Sequence, residues 1–164
     1  MENLIKNQKS LIISSLGETG FPEISYAPFV IIDYKIYLYL SQAANHYYNL
    51  RDQHKCSVIM IEDEDKSANI FARNRVSFKC ESHIMENVSD EIFSKFDEKH
   101  GEKMMTMFRK MDFDMFELNI ISGRLVKGFG QAYEIEIIDG KPKYTQATGA
   151  GKEMSKHIIR DIEE

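Results

Sequence analysis

Two arginines, Arg73 and Arg75, stand two positions apart in the segment from Ile70 to Ile84, which reads IFARNRVSFKCESHI. Polar and apolar residues alternate along this segment, which predicts a strand whose successive side chains point to opposite faces. Both guanidinium groups would then lie side by side on one face. Adjacent positive charges repel each other unless an anion lies between them, and a guanidinium group fits carboxylate or phosphate oxygens through paired hydrogen bonds. The spacing therefore favours a local anion-binding site.

The same arginines have a structural alternative. The preceding loop, Glu62-Asp63-Glu64-Asp65, is entirely acidic. Salt bridges from the arginines to this loop would leave a solvated polar face that binds no ligand. The strand alone supports both interpretations equally.

Histidine and aspartate side chains are further candidates for chemistry. His46 begins a predicted short helix, Asp112 precedes a predicted strand, and His157 lies near the C-terminus. Each residue also has an ordinary alternative, since both histidines could lie on the surface of a helix and Asp112 could cap a turn.

Charge and composition exclude some classes of protein. The chain of 164 residues has a formal net charge of −5 at pH 7 and contains no block of lysine and arginine. This argues against nucleic-acid binding, whose affinity depends on neutralising phosphates. No segment approaches the roughly 18 to 20 apolar residues of a membrane span, and the first residues lack a run of signal-peptide length. We therefore expect a cytoplasmic protein with no nucleic-acid or membrane partner.

The length fits a single domain over residues 1–164, with residues 148–164 as a mobile C-terminal tail. Cys56 and Cys80 both lie in predicted strands among apolar residues, where a thiol usually behaves as a small hydrophobic group. We expect neither a disulfide framework nor a zinc site.

Short strands separated by turns dominate the predicted structure. The first half shows strands over residues 10–16, 24–32, 36–40 and 56–62, with a short helix between Ser41 and Gln53. In the second half, Ser89 predicts the start of a helix, and a methionine-rich helix follows over residues 102–111. Further strands are predicted over residues 116–121 and 130–138, joined through residues 122–129, and Asp139-Gly140 predicts a hairpin turn. This order favours a mainly β protein with some α structure, built on a small antiparallel barrel.

Four spaced motifs carry a family resemblance over about residues 5–140. They are Ser41…His46…Asn49-Leu50, then Phe71-Ala72-Arg73-Asn74-Arg75-Val76, then Asp112-Phe113, and finally Gly128-Phe129-Gly130-Gln131-Ala132. The series resembles the pyridoxamine 5′-phosphate oxidase-like FMN-binding split barrels, and within them the heme-utilisation branch of the HugZ/HutZ-type heme oxygenases. The resemblance implies an antiparallel six-stranded split β-barrel with short flanking helices. It also implies a homodimer with its sites at the subunit interface.

The resemblance leaves two cofactors open. In flavin-using relatives, the FMN phosphate lies against the segment that matches residues 41–50 and the basic residues that match Arg73 and Arg75. In heme-utilisation relatives, an arginine of the A-R-x-R strand lies near the iron-bound oxygen or a propionate, and an aspartate of the D-F segment assists on the distal or proximal side. A histidine of the tail ligates the iron. The resemblance thus implies catalytic roles for Arg73, Arg75 and Asp112, and His157 as the metal ligand.

The remaining site residues are also implied by the resemblance. The cofactor-binding set is Ser41, His46, Asn49, Arg73, Arg75, Lys127, Phe129 and Gln131. The chain departs from the pattern at Gln131, which replaces an arginine, and in its tail, where no histidine closely follows the glycines at 149 and 151.

A histidine able to reach the cleft is the element unique to heme, so we favour heme over FMN. The expected function is a heme-degrading oxygenase that opens the porphyrin ring and releases iron, using electrons from an external donor. The alternatives are an FMN-dependent oxidoreductase and a heme carrier without turnover.

Overall fold

The computed structural model describes residues 1–147. The strands in this range are β1 Ser10–Leu16, β2 Pro22–Ile32, β3 Lys35–Ser41, β4 Lys55–Ile61, β5 Arg75–Ile84, β6 Phe113–Val126, β7 Ala132–Ile138 and β8 Lys141–Gln146. The helices are α1 Glu2–Asn7, α2 Asn45–Gln53, α3 Asp90–His100 and α4 Glu102–Phe108, with short 3-10 turns at Glu64–Lys66 and Ile70–Ala72.

The strands form an antiparallel barrel that closes on itself. Neighbouring strands follow the order β3-β2-β1-β4-β5-β6, and β6 also pairs with β3 to complete the ring. The hairpin of β7 and β8 extends the sheet beyond the barrel from the second half of β6. This arrangement confirms the predicted six-stranded barrel with short flanking helices.

Alternation along each strand builds the core, because successive side chains point to opposite faces. On β5, Val76, Phe78 and Cys80 are buried, as predicted, while Lys79 and Glu81 are exposed. Helix α2 packs on one end of the barrel through buried side chains. A second apolar cluster lies under α3 and α4; its buried members are Val30, Tyr37, Ile92, Phe96, Met105 and Met115.

The two cysteines lie directly opposite each other on β4 and β5. Both thiols are free and buried, with Cys56 8% exposed and Cys80 1% exposed. The hydrogen bond with Cys56 and burial raise the pKa of the Cys80 thiol, so it stays protonated. A protonated buried thiol is a poor nucleophile, which agrees with the predicted role as a small hydrophobic group.

The prediction of one continuous strand from Ile70 to Ile84 is wrong in its first part. The side chain of Asn69 accepts a hydrogen bond from the Phe71 backbone N–H at 2.9 Å and caps the 3-10 turn that follows. Strand β5 begins only at Arg75. Arg73 precedes the strand, so the two arginines do not share a strand face.

The predicted connection over residues 122–129 is also wrong. Strand β6 continues without a break to Val126, and a β-bulge opposite Lys79 and Cys80 bends the pairing with β5. Strand β8 follows the predicted Asp139-Gly140 turn.

The longest helix of the described residues, α3, has 11 residues, and none of the helices in this range is long and apolar enough to cross a membrane.

Gly123 is required where β6 crosses the Phe78 side chain. A Cβ atom at this position would lie 2.5 Å from Phe78 Cδ1 and 2.7 Å from the Ser77 carbonyl oxygen. The carbonyl oxygen belongs to the paired strand and has little room to move, so Gly123→Ala should lower the free energy of unfolding by about 1–3 kcal/mol. Urea denaturation measures the change. The adjacent Ser122→Ala substitution is the control, and equal losses in both variants would contradict the steric argument.

Candidate functional site

An open cavity of about 730 Å³ lies where the 3-10 turn Ile70–Ala72, the β6–β7 turn and the end of β8 meet. We call it the Arg75 cavity. It brings together three of the predicted cofactor-binding residues, Arg75, Phe129 and Gln131. Its volume is in the range of sites that bind organic cofactors.

Arg75 is a cation of this cavity that has no carboxylate partner. Its Nη1 donates to the Arg73 carbonyl oxygen at 3.1 Å, and it forms no ion pair with any of residues 1–147. Arg124, which also lines the cavity, is instead paired with Glu134 on the neighbouring strand. Arg75 is therefore the arginine available to an anionic ligand here.

Two exposed aromatic side chains border the Arg75 cavity. Phe71 is 86% exposed and Phe129 is 60% exposed. Gly128 and Gly130 have φ angles of 69° and 70°, a conformation that glycine adopts without strain, and they hold Phe129 between them at the surface. Exposed aromatic rings beside a cation suit a flat, apolar ligand that also carries acidic groups.

Arg73 takes the structural role that the sequence left open. Its Nε donates to the Glu62 carbonyl oxygen at 2.9 Å, its Nη2 donates to the same oxygen, and its Nη1 contacts the Glu64 carboxylate at 3.1 Å. The guanidinium group is therefore engaged with the acidic loop. These contacts do not support a role for Arg73 in catalysis or ligand binding, and that role stays a prediction.

The predicted phosphate segment lies at the α2 end of the barrel, where its side chains already have protein partners. Ser41 Oγ accepts from the Ala43 backbone N–H at 3.2 Å. His46 Nδ1 lies 2.8 Å from a serine hydroxyl, Ser25 Oγ, and burial lowers the pKa of this histidine. Asn49 is buried on α2, and its amide donates to a serine hydroxyl of β1 at 3.1 Å and to a glutamate carboxylate of β2 at 2.9 Å. These bonds position α2 on the barrel.

Asp112 and its neighbours lie at the same end of the barrel. The Asp112 backbone carbonyl accepts from Gln42 N–H at 3.0 Å, and its exposed carboxylate forms no ion pair with residues 1–147. Asp114, which the sequence analysis missed, accepts from the Tyr47 hydroxyl at 2.6 Å. This hydrogen bond, with burial, raises the pKa of Tyr47 to about 12. The Asp114 carboxylate is thus hydrogen-bonded to a side chain of α2, whereas the Asp112 carboxylate is accessible to solvent.

Strand β6 separates the two groups of predicted site residues. Ser41 pairs with Phe113 at one end of β6, and Arg75 pairs with Val126 at the other. With 14 residues, β6 is about 40 Å long along its contour. One protomer therefore does not bring Asp112 and Ser41 into the Arg75 cavity.

Two further predicted residues lie elsewhere. Lys127 lines neighbouring cavities beside α1 and has its Nζ 5.8 Å from the centre of the Tyr133 ring. His157 lies outside the described residues, and none of the histidines within residues 1–147 lines the Arg75 cavity. No group of three or more possible metal-binding side chains occurs in the described part of the chain.

The sequence analysis did not predict Phe71, Thr145 or Gln146 as lining residues of the Arg75 cavity, and only Phe71 had a sequence signal. Phe71 belongs to the quoted arginine motif, and its position beside a cation could have marked it as a contact residue. Strand β8, which supplies Thr145 and Gln146, reads KPKYTQ and lacks the apolar alternation that identifies a strand.

Comparison with known proteins identifies the family. Residues 1–127 match the family model described as pyridoxamine 5′-phosphate oxidase. The chain is 33% identical over 133 residues to the Vibrio cholerae protein named heme oxygenase HutZ, covering 79% of this chain and 76% of HutZ.

Solved structures give the same relationship. Campylobacter jejuni ChuZ superposes with a TM-score of 0.79 at 31% identity, covering 91% of this chain, which spans only 62% of ChuZ. A crystal structure of Vibrio cholerae HutZ, described there as a heme storage protein, superposes with a TM-score of 0.67 at 28% identity, covering 73% of this chain and 86% of HutZ. The chain therefore belongs to the pyridoxamine 5′-phosphate oxidase family, within the branch of the heme-utilisation proteins HutZ and ChuZ.

Proposed function

We propose that the protein binds heme in the Arg75 cavity and acts as a heme-degrading oxygenase. The observation that carries this proposal is an arginine, Arg75, that forms no ion pair within residues 1–147 and lies beside two exposed phenylalanine rings in an open cavity of about 730 Å³. Heme is a flat apolar ring with two carboxylates, which matches this combination of groups. The names given to HutZ, a heme oxygenase and a heme storage protein, support the same ligand.

Each residue of the proposed site has a distinct task. Arg75 would hold a propionate, and Phe71 and Phe129 would contact the apolar ring and exclude water from it. His157 would ligate the iron, with the exposed Asp112 carboxylate accepting its second ring N–H. Heme would supply the iron and the porphyrin ring on which oxygen chemistry takes place, and an external donor would supply electrons.

A second copy of the chain would complete this site. Arg75 and Asp112 lie at opposite ends of β6, so a site that includes both would need residues from two protomers. An exposed apolar face is available for such pairing on β1 and β2, where Ile12 lies opposite Tyr26 and Ile24 is 76% exposed. Exposed apolar surface of this kind typically contacts a partner.

We expect sedimentation to show a homodimer at micromolar concentration. Burial of the β1–β2 face provides the driving force, so Ile24→Lys, which places a charge in the centre of that face, should shift the protein towards monomer. Glu18→Lys, in the exposed turn before β2, is the control. A folded wild-type monomer would contradict both the dimer and a shared site.

Titration with hemin and, separately, with FMN distinguishes the proposed ligand from the flavin of the wider family. Heme binding predicts a saturable Soret band of histidine-ligated heme at one equivalent per protomer. Co-purifying yellow flavin without a saturable Soret change would contradict the proposal. Addition of a reductant under air then separates an oxygenase from a heme carrier, because only the oxygenase opens the porphyrin ring and releases iron.

Arg75→Ala should weaken hemin binding by about tenfold to a hundredfold, because a charge-assisted hydrogen bond is lost. Arg73→Ala is the matched control: its guanidinium group is bonded to Glu62 and Glu64, so its loss should affect the acidic loop more than hemin affinity. Absorbance titration measures both. If hemin affinity falls only in the Arg73 variant, the assignment of the anion contact to Arg75 is wrong.

A further inference from the structure

A second, smaller cavity of about 270 Å³ lies between α3, α4 and the beginning of β1. It shares no lining residue with the Arg75 cavity. Buried Phe96 and Met105 form part of its wall, together with Phe108, and Met104, which is 51% exposed, also borders it. These side chains suit an apolar ligand body.

Three polar side chains line the same cavity: Lys9, Tyr39 and His100. The Tyr39 hydroxyl donates to none of residues 1–147. His100 Nε2 lies 3.1 Å from the Phe29 carbonyl oxygen, which can only accept, so Nε2 carries the proton and Nδ1 remains for another contact. The cavity thus combines apolar walls with polar groups that have unused hydrogen-bonding capacity.

Three basic side chains, Lys9, Lys99 and His100, lie in or beside this cavity. Lys9 and Lys99 both act to lower the pKa of His100, although burial has the larger effect. Lys99 lies with its Nζ 3.6 Å from the centre of the Phe29 ring, and burial lowers the pKa of this lysine to about 8. None of the three basic groups forms an ion pair within residues 1–147.

Two other cations of this helical region are paired with carboxylates. Arg109 donates to the Asp97 carboxylate at 2.7 and 2.8 Å, and Lys95 contacts Glu98 at 3.2 Å. Neither of these two ion pairs includes Lys9, Lys99 or His100. An anion at this position would be attracted by Lys9 and Lys99 and would favour the protonated form of His100.

We propose that this cavity binds a small amphipathic carboxylate, such as a medium-chain fatty acid, separately from heme. The carboxylate would lie near Lys9, His100 and the Tyr39 hydroxyl, and the hydrocarbon chain would lie against Met104 and Phe108. Charge complementarity selects the anion, and the apolar walls select a ligand with a hydrocarbon body.

Octanoate is the probe, and heme-free full-length protein is the sample. Calorimetry and NMR should show saturable binding of one octanoate per protomer, with shifted resonances for His100 and Met104. The His100 pKa should rise on binding, because a nearby negative charge favours the imidazolium form. Octylammonium, which has a similar apolar chain and the opposite charge, should not bind there.

Matched charge reversals test the carboxylate position. Lys9→Glu should weaken octanoate binding by about tenfold, because attraction becomes repulsion. Lys6→Glu makes the same change of net charge on α1, away from this cavity, and should change the affinity by less than about twofold. Absence of octanoate binding, equal binding of octylammonium, or equal effects of the two reversals would each overturn the proposal.

Discussion

Replacing His157 by alanine should abolish the spectrum of histidine-ligated heme and stop ring opening. A neutral imidazole is a common proximal ligand to heme iron, and removing it leaves the iron without its strongest protein bond. Part of the heme affinity should survive, because Arg75, Phe71 and Phe129 belong to the Arg75 cavity itself. Absorbance spectra with hemin and a reductant-driven assay under air measure the two effects.

The other histidines provide the controls for this experiment. His83 is exposed and stacks on His54 with ring centres 6.3 Å apart, on a part of β5 remote from Arg75. His83→Ala should therefore leave the heme spectrum unchanged. An unchanged spectrum in His157→Ala would contradict the assignment and move the search for the ligand to His46 or His100.

Asp112→Asn tests the second half of the same assignment. The substitution keeps the shape of the side chain and removes the negative charge that would strengthen the histidine as a ligand. Ring-opening turnover should fall more than hemin affinity. A loss of affinity with unchanged turnover would contradict a role for Asp112 as the partner of the ligating histidine.

Phe116→Ala should have the largest effect on stability, lowering the free energy of unfolding by about 3–5 kcal/mol. Phe116 is fully buried on β6, pairs with Leu38 across the barrel closure, and meets the Tyr47 ring of α2 edge to face at 5.2 Å. Its loss would leave a cavity between the barrel and α2. The free energy of unfolding of a typical domain is only about 5–15 kcal/mol in total, so the variant should be close to unfolding.

Phe71→Ala is the matched control for Phe116→Ala, because the same atoms are removed from a ring that is 86% exposed. Its free energy of unfolding should change by no more than about 0.5 kcal/mol. Urea denaturation of both variants measures the difference. Similar losses would mean that Phe116 is not the contact that holds α2 on the barrel.

Local patterns predicted the barrel strands well. Polar and apolar residues alternate on β5 because one face of this strand lies in the core. On β3, the aliphatic residues lie in the barrel core and the tyrosines pack in the cluster under α3 and α4, so both faces of this strand are covered. The hairpin turn at Asp139-Gly140 was also predicted, since both residues adopt the positive φ angles that this turn requires.

The alternation of polar and apolar residues gave a wrong strand prediction where a local hydrogen bond determined the backbone conformation. The residues around Arg73 have a strand-like pattern, yet Asn69 caps a 3-10 turn, and the Arg73 side chain turns to the Glu62 carbonyl oxygen. Neither contact has a period that a sequence pattern could reveal. Of the two arginines predicted to bind an anion together, Arg75 is therefore the one whose contacts within residues 1–147 leave it available.

The relative positions of the site residues depend on register and not on spacing. The family resemblance placed Ser41, Asp112 and Arg75 in one site at the subunit interface. Within one protomer, pairing with β6 puts Arg75 at the end remote from the other two. The proposed heme site thus needs the second protomer, and a single sequence carries no direct signal of which residues meet across such a contact.

The opposed cysteines inside the barrel make the protein well suited to single-site labelling. The chain has two cysteines, and both thiols are buried between β4 and β5. A cysteine introduced at an exposed position such as Glu18 would be the reactive thiol towards a maleimide or a spin label, with no need to remove the native pair. Pulsed electron paramagnetic resonance could then measure distances between labelled copies in otherwise native protein.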